Sequence, residues 1–170
     1  IAEIIGECKR MNIPVLPPSI NESFSGFTVV KSELKTNGSK QTTSDASDRI
    51  RFGLTTIKNF GEGIADFIIA EREKNGAFKS LGNFLDRIRD RNLNKKSLEA
   101  LVKAGTMDDF GERGIMLANM ENLLAYNKEK ANTPENQDSL FGAMTNSEVS
   151  GSDLILAPAP PATQSDKLMW

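Results

Sequence analysis

Two glycines separated by one residue are the feature of this sequence best suited to holding a ligand. Gly61 and Gly63 stand in the stretch IKNFGEGIADFIIAERE, between two segments with helical patterns. Glycine permits turns that other residues resist, and the next helix begins with unpaired N–H groups whose positive end attracts an anion such as phosphate. The same glycines suit a tight helical hairpin with no ligand, and spacing alone favours neither interpretation.

Additional hydrogen-bond donors lie beside this turn and in a second basic cluster. Lys58 and Asn59 precede the glycines, and RIRDRNLNKK ends with Asn94 as a predicted helix cap followed by Lys95 and Lys96. Cations at a helix N-terminus oppose the helix dipole, and a bound phosphate would remove that conflict. Residues 51–105 carry 11 basic and 7 acidic groups, a net charge of +4, although the chain as a whole has −2. A solvated charged face is the simpler explanation of the second cluster.

Composition excludes several other kinds of chemistry. The 170 residues include no histidine and one cysteine, Cys8, which rules out histidine-based catalysis, disulfide frameworks and zinc sites of ordinary spacing. No apolar run approaches the roughly 20 residues that a membrane span needs. A lone cysteine fits the reducing cytoplasm. Because the chain starts without methionine, we expect a piece of a longer protein.

The hydrophobic pattern predicts a mainly α-helical protein with a compact core over residues 55–125. The expected helices are a short one capped by Thr55 or Thr56 and ending at Phe60, one from Ile64 to the stop at Asn75-Gly76, one capped by Ser80, one from Asn94 to Gly105, and one from Gly114 to Lys130.

The flanking regions differ from this core. Residues 1–50 predict the end of a helix capped by Asn12, extended chain at PVLPP, a strand around Phe24 to Val30 and a mobile loop at 35–48. RIRFGL, residues 49–54, is the predicted returning strand. For residues 126–170 the composition predicts a flexible, largely disordered tail, in which APAPPA is expected to be extended or disordered and QDSLF is an isolated apolar island.

Several of these blocks, in this order, resemble the alpha subunit of bacterial replicative DNA polymerase III. They are RMNIPVLPPSINESFSGFTVV, IRFGLTTIKNFGEGIADFIIAERE, GAFKSLGNFLDRI and LNKKSLEALVKAGTMDDFG. The resemblance covers residues 1–125 and implies the end of the polymerase fingers at 1–50 and a tandem helix-hairpin-helix domain at 51–125. It also implies that Gly61 and Gly63 are hairpin glycines, with Ile64 and Ala65 at the start of the following helix. Residues 93–105 fall in a second repeat.

The tail is also similar to a known element of these polymerases. QDSLF resembles the short peptide by which they bind the sliding clamp, the beta subunit, which implies that Gln137, Ser139, Leu140 and Phe141 are the binding residues. An aliphatic and an aromatic anchor concentrate binding energy in such peptides. The alternative is that Leu140 and Phe141 fold back onto the helical core.

Together the residues and the resemblance predict sequence-independent binding of duplex DNA through phosphates, with tethering to the sliding clamp. The family's catalytic carboxylates and their divalent metal, Mg²⁺, belong to a palm domain outside this chain, so we expect no catalytic residue, metal or cofactor here. One alternative is a module that contacts other domains of the same polymerase and the clamp but no DNA. A nuclease or glycosylase built on the same motif is disfavoured, because no other block supplies a catalytic Lys or Asp.

Overall fold

The chain forms a small three-stranded sheet and a group of short helices. The structure, a computed structural model, describes residues 2–31, 48–89, 93–132 and 154–169. The first helix, α1, spans Ala2–Arg10. It is followed by Asn12, whose φ of 55° is left-handed. The N–H of Ile13 donates to the carbonyl of Cys8 at 2.8 Å, which closes the helix end as predicted.

The sheet pairs the strand within PVLPP and a second strand with residues 49–51, which come shortly before the helices of the core. Strand β1 is Val15–Leu16, β2 is Thr28–Val30 and β3 is Arg49–Arg51, in the order β1-β3-β2. β1 runs parallel to β3 and β2 antiparallel to it. The extended prolines and the existence of both predicted strands are confirmed, but β2 begins only at Thr28 and the returning strand ends at Arg51. Residues 35–47 of the predicted loop lie outside the described residues.

The prediction of a first core helix ending at Phe60 is wrong. A single 3₁₀ turn, Leu54–Thr56, stands where a helix capped by Thr55 or Thr56 was expected to reach Phe60. The two hydroxyls do not cap amides: that of Thr55 donates to the carbonyl of Ser25 at 2.6 Å and that of Thr56 to Gly53 at 2.7 Å. The Thr55 bond ties the turn to Ser25, just before β2, and the Thr56 bond lies within the turn itself.

The next three helices follow the sequence closely. α2 spans Glu62–Asn75 and ends at Gly76, with φ 79°. α3 spans Leu81–Arg87, and the hydroxyl of its cap Ser80 accepts from the N–H of Asn83 at 3.1 Å. α4 spans Lys95–Lys103, is capped by Asn94 and ends at Gly105, which has φ 77°. Cap chemistry is local, which explains why the sequence located these boundaries.

The last helix of the core is divided, contrary to the sequence prediction. After a 3₁₀ turn at Asp108–Phe110, α5 spans Arg113–Ala118 and α6 spans Met120–Asn132. The break falls at Asn119, where φ is −98° and ψ is 14°.

Asn119 also binds a distant segment. Its side-chain amide donates to the carbonyl of Ala157 at 2.9 Å and its side-chain oxygen accepts from the Ala157 N–H at 2.8 Å. This reciprocal pair attaches residues 154–163, here called the C-terminal strap, to the break between the two helices. The strap is extended and leads into α7, Gln164–Met169.

A second attachment holds the strap at Glu112. Its carboxylate caps α5 by accepting from Gly114 and Ile115 and also accepts from the N–H of Ala162 at 3.0 Å. Burial raises the pKa of this carboxyl, but the amide hydrogen bonds and nearby Lys167 outweigh it, and the pKa is lowered. Part of the predicted tail therefore has a defined place on the core.

The hydrophobic core lies among α2 to α6 and includes Ile20, which lies between β1 and β2. Residues from each of these helices and from the first 3₁₀ turn are buried, namely Leu54, Ile64, Ala65, Ile68, Leu81, Phe84, Leu85, Leu98, Leu101, Val102, Met116, Met120 and Leu123. Buried Arg72 donates to the carbonyl of Ile20 at 2.9 Å, and burial lowers the pKa of its guanidinium. The polar link explains how a charged side chain is accommodated there.

Candidate nucleic-acid interface

The turn before α2 has a backbone different from the one expected. Asn59, with φ 65°, is left-handed, whereas Gly61 is extended, with φ −83° and ψ 155°, and Gly63 lies inside the first turn of α2. Neither glycine therefore uses its freedom to adopt a positive φ in this turn. Asparagine tolerates the left-handed region better than most residues, so Asn59 makes the turn.

The surroundings of the two glycines are open. A Cβ atom added at Gly61 or Gly63 would meet nothing within 4 Å. Neither conformation nor packing inside the described chain therefore requires glycine at these positions. Room for close approach of an external group to the backbone is a separate reason for glycine.

The first amides of α2 are available to such a group. Ala65 N–H donates to the carbonyl of Gly61 at 3.2 Å, and Gly61 has no side chain to cap the helix. Within the described residues, the N–H groups of residues 62–64 have no acceptor. The side chains of Ile64 and Ala65 are buried, so at these two positions only backbone faces the turn.

The two predicted basic clusters meet at one open cleft of about 610 Å³. Lys58 and Asn59 line one part of it, and Lys96 from the first turn of α4 lines another. The remaining lining residues come from the sheet segment, the first 3₁₀ turn, α4 and α7: Pro18, Phe52, Thr56, Ile57, Glu99, Ala100, Lys103, Ala104 and Met169. Lysines that precede α2 and that lie in α4 therefore face the same space.

Asn94 and Lys95 are placed differently from Lys96. The side-chain oxygen of Asn94 accepts from the N–H of Ser97 at 3.1 Å, while the Ser97 hydroxyl accepts from the N–H of Asn94 at 2.9 Å. Lys95 does not line the cleft and pairs with Glu121, and this hydrogen bond raises the pKa of Lys95. Of the three, only Lys96 faces the same space as Lys58.

Sequence reasoning missed Glu99 and Lys103 as members of this cleft. They follow Lys96 by three and seven residues and so share its face of α4, which is a signal that helical spacing contains. Their carboxylate and ammonium groups pair at 2.6 Å, and each side chain is about one third exposed. The clamp-binding candidates Gln137, Ser139, Leu140 and Phe141 lie outside the described residues.

The described parts of the chain contain neither a membrane-spanning helix nor a cluster of metal-ligating side chains. Every helix there falls short of the length or apolar content needed to cross a bilayer. The same residues bring no three metal-ligating side chains of the His, Cys, Asp and Glu types together.

The sequence of this region corresponds to a known class of protein. Residues 12–115 match the helix-hairpin-helix motif family, and the chain belongs to it. Its fold is mainly α, with the small sheet preceding the paired helical motifs. The sequence corresponds to one segment of the bacterial DNA polymerase III alpha subunit.

Curated relatives support this assignment over most of the chain. The DNA polymerase III subunit alpha of Thermus aquaticus is 43% identical over 129 residues, which is 76% of this chain and 9% of the relative. That of Deinococcus radiodurans is 40% identical over 124 residues, 73% of this chain and 8% of the relative. That of Helicobacter pylori is 39% identical over 148 residues, 85% of this chain and 12% of the relative. The chain thus spans about a tenth of the length of the relatives it matches.

Proposed function

We propose that this chain holds duplex DNA without reading its sequence and tethers a replicative polymerase to its sliding clamp. The observation that supports DNA binding is the cleft, where Lys58 and Asn59, which precede α2, face Lys96 in the first turn of α4. Contacts from lysines and backbone amides to phosphates position a protein on a duplex but carry no base information.

The first turn of α2 contributes backbone groups to the same proposal. The N–H groups of residues 62–64 find no acceptor in the described chain, and the open space at Gly61 and Gly63 admits a phosphate. The helix dipole favours an anion there. Gly61, Gly63, Ile64 and Ala65 do not themselves line the cleft, so a phosphate at this turn would be a contact separate from those at Lys58 and Lys96.

In the complete polymerase, this segment supports template-directed nucleotidyl transfer by holding the product duplex. The reaction itself belongs to catalytic carboxylates and a divalent metal, Mg²⁺, outside this chain. We therefore assign no residue here to catalysis, and the proposed partners are duplex DNA, the sliding clamp and other domains of the same polymerase. The proposed location is the cytoplasm, where replication proteins of bacteria act.

Binding of a fluorescent duplex of scrambled sequence, followed by anisotropy over a salt series, tests the DNA part. Wild-type affinity should fall steeply with salt because each neutralised phosphate releases counterions. Lys58→Gln and Lys96→Gln should each weaken binding and reduce the slope of log K against log salt by about 0.9.

Lys74→Gln is the matched control for this experiment. Lys74 is exposed and lies about 18 Å along α2 from Glu62, at 1.5 Å per residue. The control removes the same charge from the far end of the helix and should leave the slope unchanged. A wild-type protein that fails to bind at low salt, or equal effects of all three variants, would contradict the proposal.

The clamp part rests on QDSLF, and truncating its two anchors should nearly abolish binding. Leu140→Ala/Phe141→Ala should weaken binding to a bacterial sliding clamp by about 30-fold or more, because the loss of even one anchor residue of such a peptide costs about 2 kcal/mol. Surface-immobilised clamp and the intact chain give the affinity directly. Asp138→Ala is the control and should bind normally, and an unchanged affinity of the double variant would remove clamp tethering from the proposal.

One observation favours the alternative of an interaction module without DNA contact. Phe24, Phe27 and Val29 lie close together in sequence and are 46%, 52% and 61% exposed. Apolar exposure of this kind suits contact with the other nine-tenths of a polymerase. If this alternative is right, any residual DNA binding will be insensitive to salt in the series described above.

A further inference from the structure

The basic cleft contains an ion pair that phosphate binding must rearrange. Lys58, Lys96 and Lys103 line it together with Glu99, so three cations face one anion. Within the described residues Lys58 and Lys96 have no ion-pair partner, whereas the ammonium of Lys103 lies 2.6 Å from the carboxylate of Glu99. The cleft therefore holds two unpaired cations and one that is engaged.

Both members of this pair are accessible from the cleft. Their side chains remain 35% and 37% exposed, and they stand one turn apart on the same face of α4. An exposed pair of this kind contributes little, so a phosphate oxygen can replace the carboxylate at low cost. Glu99, left without its partner, would then face the phosphate and repel it.

We propose that Lys103 is a phosphate-binding residue of this cleft and that Glu99 lowers the affinity for duplex DNA by competing for it. The inference rests on the proposed DNA binding and deepens it, because it extends the phosphate site along α4 beyond Lys96. Duplex phosphate exchanges with the Glu99 carboxylate at Lys103. The pair thereby sets how tightly the chain holds a duplex on which the polymerase must move.

A double-mutant cycle on the intact chain tests this exchange. Wild type, Lys103→Gln, Glu99→Gln and the double variant are titrated with the labelled duplex across the salt series, and circular dichroism verifies folding. Lys103→Gln should weaken binding and lower the salt slope by about 0.9. Glu99→Gln should tighten binding about twofold or more, as loss of an exposed competing pair implies.

The coupling between the two positions separates competition from general charge effects. In the Lys103→Gln background, the gain from Glu99→Gln should fall to well under half. An equal gain in both backgrounds would mean that Glu99 acts by repulsion alone and would overturn the exchange. Lys74→Gln is again the charge-matched control, and a Lys103→Gln variant that behaves like it would overturn the assignment of Lys103.

Failure of this inference is distinguishable from failure of the proposed function. If wild type binds with a steep salt dependence and Lys103→Gln matches the control, DNA binding stands and this assignment falls. If wild type does not bind, both fall together.

Discussion

Replacing both glycines of the turn, Gly61→Val/Gly63→Val, should abolish most duplex binding and leave the protein folded. The added methyl groups would occupy the open space beside the N–H groups of residues 62–64, where a phosphate would lie. Hydrogen bonds to a charged group contribute about 1.5 to 3 kcal/mol each, so losing one or two should weaken binding by at least about tenfold. Anisotropy with the scrambled duplex at low salt measures the change.

The free energy of unfolding should change little in the same double variant. Neither glycine has a positive φ, and a Cβ at either position meets nothing within 4 Å. Valine is a slightly better helix former than glycine at position 63, inside α2, but glycine is the better residue at the N-cap position 61, so urea unfolding should show a free energy changed by no more than about 1 kcal/mol.

Gly6 supplies the matched control for this pair. It lies within α1, away from the turn before α2, and its added Cβ also meets nothing within 4 Å. Gly6→Val should retain duplex binding. If the double variant is folded and binds duplex DNA as wild type does, the turn has only a structural role and phosphate binding at α2 is excluded.

Gly53→Ala should have the largest effect on stability of any glycine-to-alanine change near the cleft. A Cβ at Gly53 would collide with the carbonyl oxygen of Ser25 and with backbone atoms of Gly26. Backbone atoms cannot rotate away as a flexible side chain can, so the sheet segment and the 3₁₀ turn must separate. Overpacking of this kind costs about 1 to 3 kcal/mol, which urea unfolding should report.

The same change should also weaken DNA binding, because the contact positions the turn. The N–H of Leu54 donates to Phe24 at 2.8 Å and that of Thr55 donates to Ser25 at 3.1 Å, just ahead of Lys58 and Asn59. Gly26→Ala is the control, since a Cβ there meets nothing within 4 Å although Gly26 is the other side of the contact. A Gly53→Ala protein as stable as wild type would contradict this account.

The helix boundaries show how far local sequence determines this fold. Ser80, Asn94 and Gly76 were identified as caps from residue type and position, and the structure confirms each of them. Their chemistry acts within three or four residues, so it is readable without knowledge of the rest of the chain. The ordered family blocks likewise identified the class of protein.

Where distant segments compete for the same groups, local reasoning failed. Thr55 and Thr56 have the hydroxyls of a helix cap, but one of them bonds to Ser25, thirty residues away, and the helix does not form. Asn119 lies in a helical pattern, yet it binds the backbone of Ala157 and marks the division between α5 and α6. In both cases a long-range hydrogen bond accompanies the departure from the local preference.

The sequence by itself determined that this protein is mainly helical, that its basic groups concentrate between residues 51 and 105, and that Lys58 and Lys96 belong to separate candidate clusters. Only the tertiary structure decided that these lysines face one cleft, with Lys103 paired to Glu99 beside them. Helical spacing relates residues on one helix, but the relative placement of α4 and the first turn depends on core packing between segments about forty residues apart.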